Sequence, residues 1–368
     1  MHRFNRCMAA TAGVAAVMLL AAACGGGSTS NSSGFKGVSL TGAGATFPDP
    51  IYEQWFKDFR NVESGAKINY QAIGSGGGVQ QYTAGTVDFG ASDAPLKDEE
   101  TQAIRAKGLD VVEIPTVLGG VVIAYNVSGV DTGLKLDGAT AAQIFLGKIK
   151  AWNDPAISAM NPGAGLPSIP VQVVHRSDES GTTKVFTSWL SKESSGWASQ
   201  VGADKAVQWP VGTGGDGNDG VAAGISQTDG AIGYLSFDFA VTSGLGVAQI
   251  KRDSDGQFVA PSVTSISAAG GILKFPISSD TNILNSAASG AYPISTTTYL
   301  LVSPSPTNLD KGQTVVDFLY WALTKGQSQV TNLNYSPLPS DIQQQALALL
   351  DQVKFNGQTI QPSPAVKG

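Results

Sequence analysis

The sequence predicts an α/β protein built as two domains. Three observations lead there. The 368 residues are 42% hydrophobic and only 14% charged, enough apolar content for a large core and too little charge for a disordered polymer. Short β-like runs alternate with segments whose apolar residues recur every 3.6 positions. No run after the amino terminus is long enough to span a membrane, and no internal repeat of fixed period is present.

The amino terminus stands apart. Arg3 and Arg6 precede an uncharged run from Met8 to Ala23, shorter than a membrane span of about 20 residues, so residues 1–23 read as a signal peptide. Ala21, Ala22 and Ala23 lead into Cys24, followed by GGGSTSNSSG. This pattern resembles a bacterial lipobox with its tether over residues 24–38, although Ala21 stands where such boxes usually carry Leu. The other reading is an ordinary cleaved signal. Cys24 would be the mature chain's single cysteine, without a disulfide partner, and a thioether-linked lipid gives it a purpose.

From there the elements follow in order. KINYQAI, TVDFGAS, VVEIPTVLGGVVIAYNV, PVQVVHR, GAIGYLSF and STTTYLLVS read as strands. Ile51, Trp55 and Phe59 share one helical face; Val185 and Trp189 mark a second helix. Val315, Leu319, Ala322 and Leu323 mark a third, and Ile342, Ala346, Leu349, Leu350 and Val353 a fourth. Gly326 and Gly357 are expected at helix ends or nearby turns.

Loss of Arg3 and Arg6 with the signal leaves 21 basic residues against 29 acidic ones. That balance argues against nucleic acid as a partner. His2 leaves as well, so His175 is the only histidine remaining, and with no second cysteine a Cys/His zinc site cannot be assembled.

Three loops share a design of strand, then Gly/Ser/Thr, then helix. TGAGATFPDP offers Thr46 and Phe47 ahead of a helix announced by Pro48 and Pro50. NYQAIGSGGG offers Ser75, and HRSDESGTTKVF offers Ser180, Gly181 and Thr182. Unpaired N–H groups and the positive dipole end make such helix starts anion sites, while Ser and Thr there also serve as plain caps. Three such loops, with Asp93 and Arg176 just past strand ends, favour a ligand over capping alone.

Other motifs fail. Gly212, Gly214 and Gly217 match G-x-G-x-x-G, but only the short stretch WPV precedes them, so the segment is expected to be a loop. GSGGGVQ lacks the residues of a P-loop, and Gly220 stands where a calcium loop beginning at Asp216 needs an oxygen ligand. A serine hydrolase would need a base for Ser180. His175 alternates with Arg176 along a strand and therefore faces away. Asp93, Asp178 and Glu179 alone do not supply paired metal sites for a phosphatase.

These segments, with IFLGKIKAWNDPAI, GGDGNDGVAAGI and YPISTTTYLLV, closely resemble the phosphate-binding lipoproteins and periplasmic proteins of the PstS family, which serve high-affinity phosphate ABC transporters. The resemblance runs over nearly all of the chain after about Gly37. It implies a two-domain periplasmic binding protein fold of the Venus-flytrap type, with residues 39–117 and 292–368 in one domain, 118–291 in the other, and phosphate between them. It further implies that Thr46, Phe47, Ser75, Ser180, Gly181 and Thr182 bind phosphate through hydroxyl and backbone N–H groups. Asp93 then accepts the ligand's proton, and Arg176 pairs with its oxygens while Asp178 holds the arginine. The implied protein is a monomer without cofactor, metal or catalysis, lipid-anchored outside the cell membrane and delivering phosphate to a permease. A phosphatase on the same scaffold, or a receptor for another tetrahedral oxyanion such as sulfate or molybdate, are the alternatives. Two residues depart from the family pattern: Gly76, where many members carry Ser, and Glu179, where Gly is common and which is expected to face solvent.

Overall fold

The computed structural model describes residues 37–275 and 283–368. The signal peptide, Cys24 and most of the tether lie outside the described residues. Nine strands form one sheet, eight of them in a continuous path. Its first half is β1 (Ser39–Gly44), β2 (Lys67–Ala72) and β3 (Phe89–Ser92), with β1 parallel to both neighbours. The 15-residue β4 (Val112–Asn126) carries the path onward. Beyond β5 (Lys135–Leu136), which belongs to a small separate sheet, come β6 (Gln172–Arg176), β7 (Thr213–Gly215), β8 (Ala231–Ser236) and β9 (Gly246–Val247). β5 pairs with β10 (Gln249–Lys251), which also pairs with β11 (Phe258–Val259). The main order is β2-β1-β3-β12-β4-β8-β6-β7, where β12 is Ser295–Val302 and β9 pairs with β4.

β4 explains the architecture. Its residues 112–120 run antiparallel to β12, and its residues 121–126 run antiparallel to β8, so a single strand is shared by both halves of the sheet. The register with β12 slips where Pro115 pairs with Tyr299 and Val117 with Thr298, leaving Thr116 as the extra residue. Proline cannot donate to a ladder and is tolerated at such a bulge. The Thr116 hydroxyl shares a 2.8 Å hydrogen bond with the Tyr52 hydroxyl and donates to the Thr298 carbonyl at 3.3 Å.

The helical faces expected from periodicity are the buried ones, except that Leu349 is only half-buried. Ile51, Trp55 and Phe59 are enclosed on the helix Asp49–Phe59, and Val185 and Trp189 on Gly181–Glu193. Val315, Leu319, Ala322 and Leu323 line the inner side of Leu309–Thr324. Ile342 and Ala346 do the same on Ser340–Leu349, after which Leu350 and Val353 are buried beyond the helix end. Gly326 opens a 3-10 segment, Gly326–Leu333. Gly357 marks no helix end. With Asn356 it makes a two-residue hairpin turn between Lys354–Phe355 and Gln358–Thr359, both residues having positive φ (50° and 80°), as a type I′ turn requires.

One expectation is overturned. The segment around Gly212, Gly214 and Gly217 is not a plain loop: Thr213–Gly215 is a strand parallel to β6, and Gly217–Ser226 is a helix. The apolar stretch WPV does not build this strand. A Cβ on Gly215 would come within 2.5 Å of the Gly220 carbonyl carbon, so helix and strand meet backbone to backbone, leaving no side chain pattern to read.

The ring of Phe47 is fully buried, edge-on to Tyr335 at 5.8 Å, and a Cβ added to Gly119 of β4 would overlap it. Gly119→Ala is expected to lower stability by about 1–3 kcal/mol, the usual cost of overpacking, read as a shifted midpoint in urea unfolding.

Candidate anion-binding site

Five loops leave the carboxyl ends of parallel strands and meet. They follow β1, β2, β3, β6 and β7, in the arrangement by which open α/β sheets make a ligand crevice. Four of them open within four residues into helices whose first residues are Asp49, Ser75, Gly181 and Gly217. Packing at the junction is tight. A Cβ on Gly181 would overlap the Ser75 hydroxyl and come within 2.7 Å of Asp93 Cβ, and one on Gly74 would overlap the Asp178 carboxylate. Glycine at these two places is what lets the loops touch.

The predicted residues converge. Thr46, Ser75, Asp93, Arg176, Ser180, Gly181 and Thr182 are all buried, and Ser75, Ser180 and Thr182 are wholly enclosed. Ser75 Oγ accepts from the Asp93 N–H at 3.2 Å. Asp93 accepts from the Thr298 hydroxyl at 3.0 Å and from the Thr182 hydroxyl at 3.5 Å. Burial pushes the Asp93 carboxyl up to about 6, against the opposing pull of Thr298, Arg176, Thr182 and Ser75.

Arg176 ends β6 with its side chain 1% exposed. Its Nε donates to Asp178 Oδ1 at 2.6 Å and its Nη2 to Oδ2 at 2.5 Å, the fork-to-fork pairing of guanidinium and carboxylate. Nη1 is buried and has no hydrogen-bond partner among the described residues. A charged donor left unpaired in the interior is costly, and an anion would satisfy it. Asp178 also accepts from the Gly217 N–H at 3.3 Å, which ties the arginine to the helix after β7.

Capping and ligand geometry coexist at Ser180: its hydroxyl accepts from the Thr183 N–H at 3.1 Å, as an N-cap does, and its N–H donates to the Lys205 carbonyl. The histidine that could serve as its base does not approach it. His175 lies on the other face of β6, stacked on Trp209 with ring centroids 4.9 Å apart, its Nδ1 3.0 Å from the Arg176 carbonyl. Phe47 gives its ring to the core and its carbonyl to the Tyr335 hydroxyl at 2.6 Å. Glu179 is exposed, as expected, with its carboxylate accepting from Gln80 at 3.0 Å. Among the described residues, no group of three or more His, Cys, Asp or Glu side chains is placed to hold a metal ion.

Three residues belong to the site that sequence reasoning passed over. Asn218, fully buried, donates through Nδ2 to Thr46 Oγ1 at 2.9 Å and accepts from the Ser236 N–H at 3.1 Å. Thr298 supports Asp93, and the Tyr234 hydroxyl accepts from the Arg176 N–H at 3.1 Å while bonding Thr183 at 2.6 Å. The signal for Thr298 was legible: STTT opens a strand whose other residues are apolar.

A sequence profile described as a PBP superfamily domain matches residues 26–325. The phosphate-binding protein PstS of Haemophilus influenzae is 43% identical over 307 residues, covering 83% of this chain and 90% of that protein. Its namesake in Methanocaldococcus jannaschii is 34% identical, covering 88% and 89%. Among solved structures, the phosphate-bound periplasmic phosphate-binding protein PfluDING superposes with a TM-score of 0.67 at 22% identity, over 84% of this chain and 93% of that one. A phosphate-binding protein from Stenotrophomonas maltophilia superposes at 0.63 with 19% identity, over the same shares.

Above its folded value of about 6 the Asp93 carboxylate carries a buried charge, whereas below the unfolded value of 3.8 it is neutral in both states. The stability it contributes is therefore complete at low pH and lost as pH rises through about 6, a difference of about 3 kcal/mol. Asp93→Asn is expected to raise the melting temperature of the ligand-free protein at about pH 7.5 and to leave it unchanged at about pH 3.5.

Proposed function

The chain belongs to the PstS family of phosphate-binding proteins within the PBP superfamily, and from that premise we propose that the enclosed cradle around Arg176 is its phosphate site. The protein is a solute-binding component of an ABC transporter and not an enzyme. The observation that carries the site assignment is Arg176 Nη1: a buried, clamped, partnerless donor amid hydroxyls and helix starts.

In this reading Arg176 supplies the charge, and Asp178 holds it in register. Thr46, Ser75, Ser180 and Thr182 supply hydroxyls, while Phe47, Gly181 and the neighbouring helix starts supply N–H groups. Asn218 orients Thr46. Phosphate at neutral pH keeps at least one proton, so the Asp93 carboxylate accepts a hydrogen bond from it. Sulfate would face Asp93 with lone pairs alone, a strong device for rejection. The burial of every wall residue speaks against a phosphomonoester as ligand, because its ester chain would need a way out, and no base adjoins Ser180.

The shared β4 suggests how the ligand enters. Residues 39–117 with 292–368 form one lobe and 118–291 the other; Thr46, Ser75 and Asp93 then come from the first, and Arg176, Ser180, Thr182 and Asn218 from the second. Hinge closure brings them together, and the permease receives phosphate on reopening. Ten hydrogen bonds to a charged ligand at about 1.5–3 kcal/mol each would far exceed the roughly 8 kcal/mol of a micromolar complex, so most of that energy goes to desolvation and closure. Cys24 carries a lipid anchor at the outer face of the membrane.

Calorimetry should show phosphate binding with sulfate excluded near neutral pH, and Asp93→Asn should admit sulfate. In the wild type, sulfate competition should emerge as pH falls below about 6, where a protonated Asp93 can donate. Sulfate exclusion unchanged in Asp93→Asn would remove that residue from the discriminating role. For the anchor, Cys24→Ser should move the protein from the membrane fraction to the soluble one.

A further inference from the structure

A second set of contacts joins the same two regions beside the anion cradle. Lys97 and Glu100, at the start of the helix Asp98–Ala106, face the dipeptide Asp204–Lys205. The pairing is reciprocal. Lys97 Nζ lies 2.7 Å from Asp204 Oδ1, and Lys205 Nζ pairs with Glu100 Oε1. Glu100 turns its other oxygen back to the Lys97 N–H at 2.9 Å, so its carboxylate is held by its own helix start. On the opposite side the dipeptide is fastened to the phosphate-site helix. The Lys205 carbonyl accepts from the Ser180 N–H at 2.9 Å, and the Asp204 carbonyl from the Thr187 hydroxyl at 3.3 Å.

Glu179 completes the seam. Its carbonyl accepts from the Gly76 N–H at 2.8 Å and its carboxylate from Gln80. A Cβ at Gly76 would overlap both Glu179 Cβ and Glu179 Oε2. The absent side chain at 76 is therefore the space that Glu179 occupies.

We propose that Lys97–Asp204, Glu100–Lys205 and Glu179 seated on Gly76 form a latch that holds the lobes shut and sets how fast phosphate leaves. The latch rests on the reading of a two-lobe phosphate receptor given above, and its residues are positioning residues, since none reaches the ligand. Each contact joins one lobe to the other, so hinge opening breaks them all. Whatever they contribute favours the closed state alone and lengthens ligand residence by the same factor. The Lys97–Asp204 side chains are 31% and 44% exposed and should be screened by salt, whereas Lys205 and Glu100, at 6% and 19%, should be screened less.

Stopped-flow measurement of phosphate release from the full protein tests the latch. Lys97→Glu and Asp204→Lys, each placing like charges together, should speed release by about fivefold, and the double exchange should return it to within about twofold of wild type. Wild-type release should also accelerate with salt more steeply than release from Lys97→Gln/Asp204→Asn. Gly76→Ala should weaken phosphate affinity by about tenfold, with Glu179→Gly, which removes the clashing Cβ as well as the carboxylate, restoring most of it. Single exchanges that release at the wild-type rate, or a double exchange as fast as the singles, would overturn the latch while leaving tight wild-type binding, and so the receptor reading, intact. A wild type that binds no phosphate would overturn both.

Discussion

The clamp between Arg176 and Asp178 is the interaction on which the rest of the site depends. A guanidinium at 1% exposure is tolerable only if its donors are met, and Asp178 meets two of its three nitrogens at 2.6 and 2.5 Å. The third is thereby aimed, because a planar fork held along one edge cannot turn. Behind it the strand is fixed by pairing with β8 and β7, by the Tyr234 hydroxyl on the Arg176 N–H, and by a stack in which Trp209 lies between His175 and Tyr234. Phe186 continues that stack from the helix opened by Gly181. Strand end, helix start and arginine thus move as one body.

Electrostatics on this body are local. A chain of formal charge −6 can hold an anion at the proposed site because the nearest groups there are a buried cation and the positive ends of helices, and distant carboxylates are screened by solvent. In the proposed site the negative group facing the ligand, Asp93, acts as the selector. Its cost is softened by hydroxyls from Thr298 and Thr182, which favour the ionised form that burial resists. Thr298 reaches Asp93 from the very position where β12 slips against β4, beside Pro115. A backbone irregularity in the middle of the sheet therefore supports the chemistry of the cleft.

Glu179 and Gly76 show the same coupling at the rim. Each looked anomalous alone: a carboxylate beside an anion site, and a glycine where a hydroxyl would be of use. In space they account for each other, since the backbone of one accepts from the backbone of the other and the side chain of one fills the room left by the other.

What the sequence by itself determined is local. Periodicity located the buried faces of Trp55, Trp189 and Leu319, alternation separated His175 from Arg176, and turn chemistry marked the helix starts at Ser75 and Gly181, because each signal depends on neighbours within a turn or a strand pair. The tertiary structure decided what depends on distant segments meeting. It made a strand and helix of the glycine-rich run after Pro210, where close backbone approach leaves no side-chain pattern. It brought Asn218 to Thr46 across 172 residues and Thr298 to Asp93 across 205. It also turned Lys97, Glu100, Asp204 and Lys205, indistinguishable in sequence from ordinary surface charges, into facing pairs, since charge carries no record along the chain of what it will be packed against.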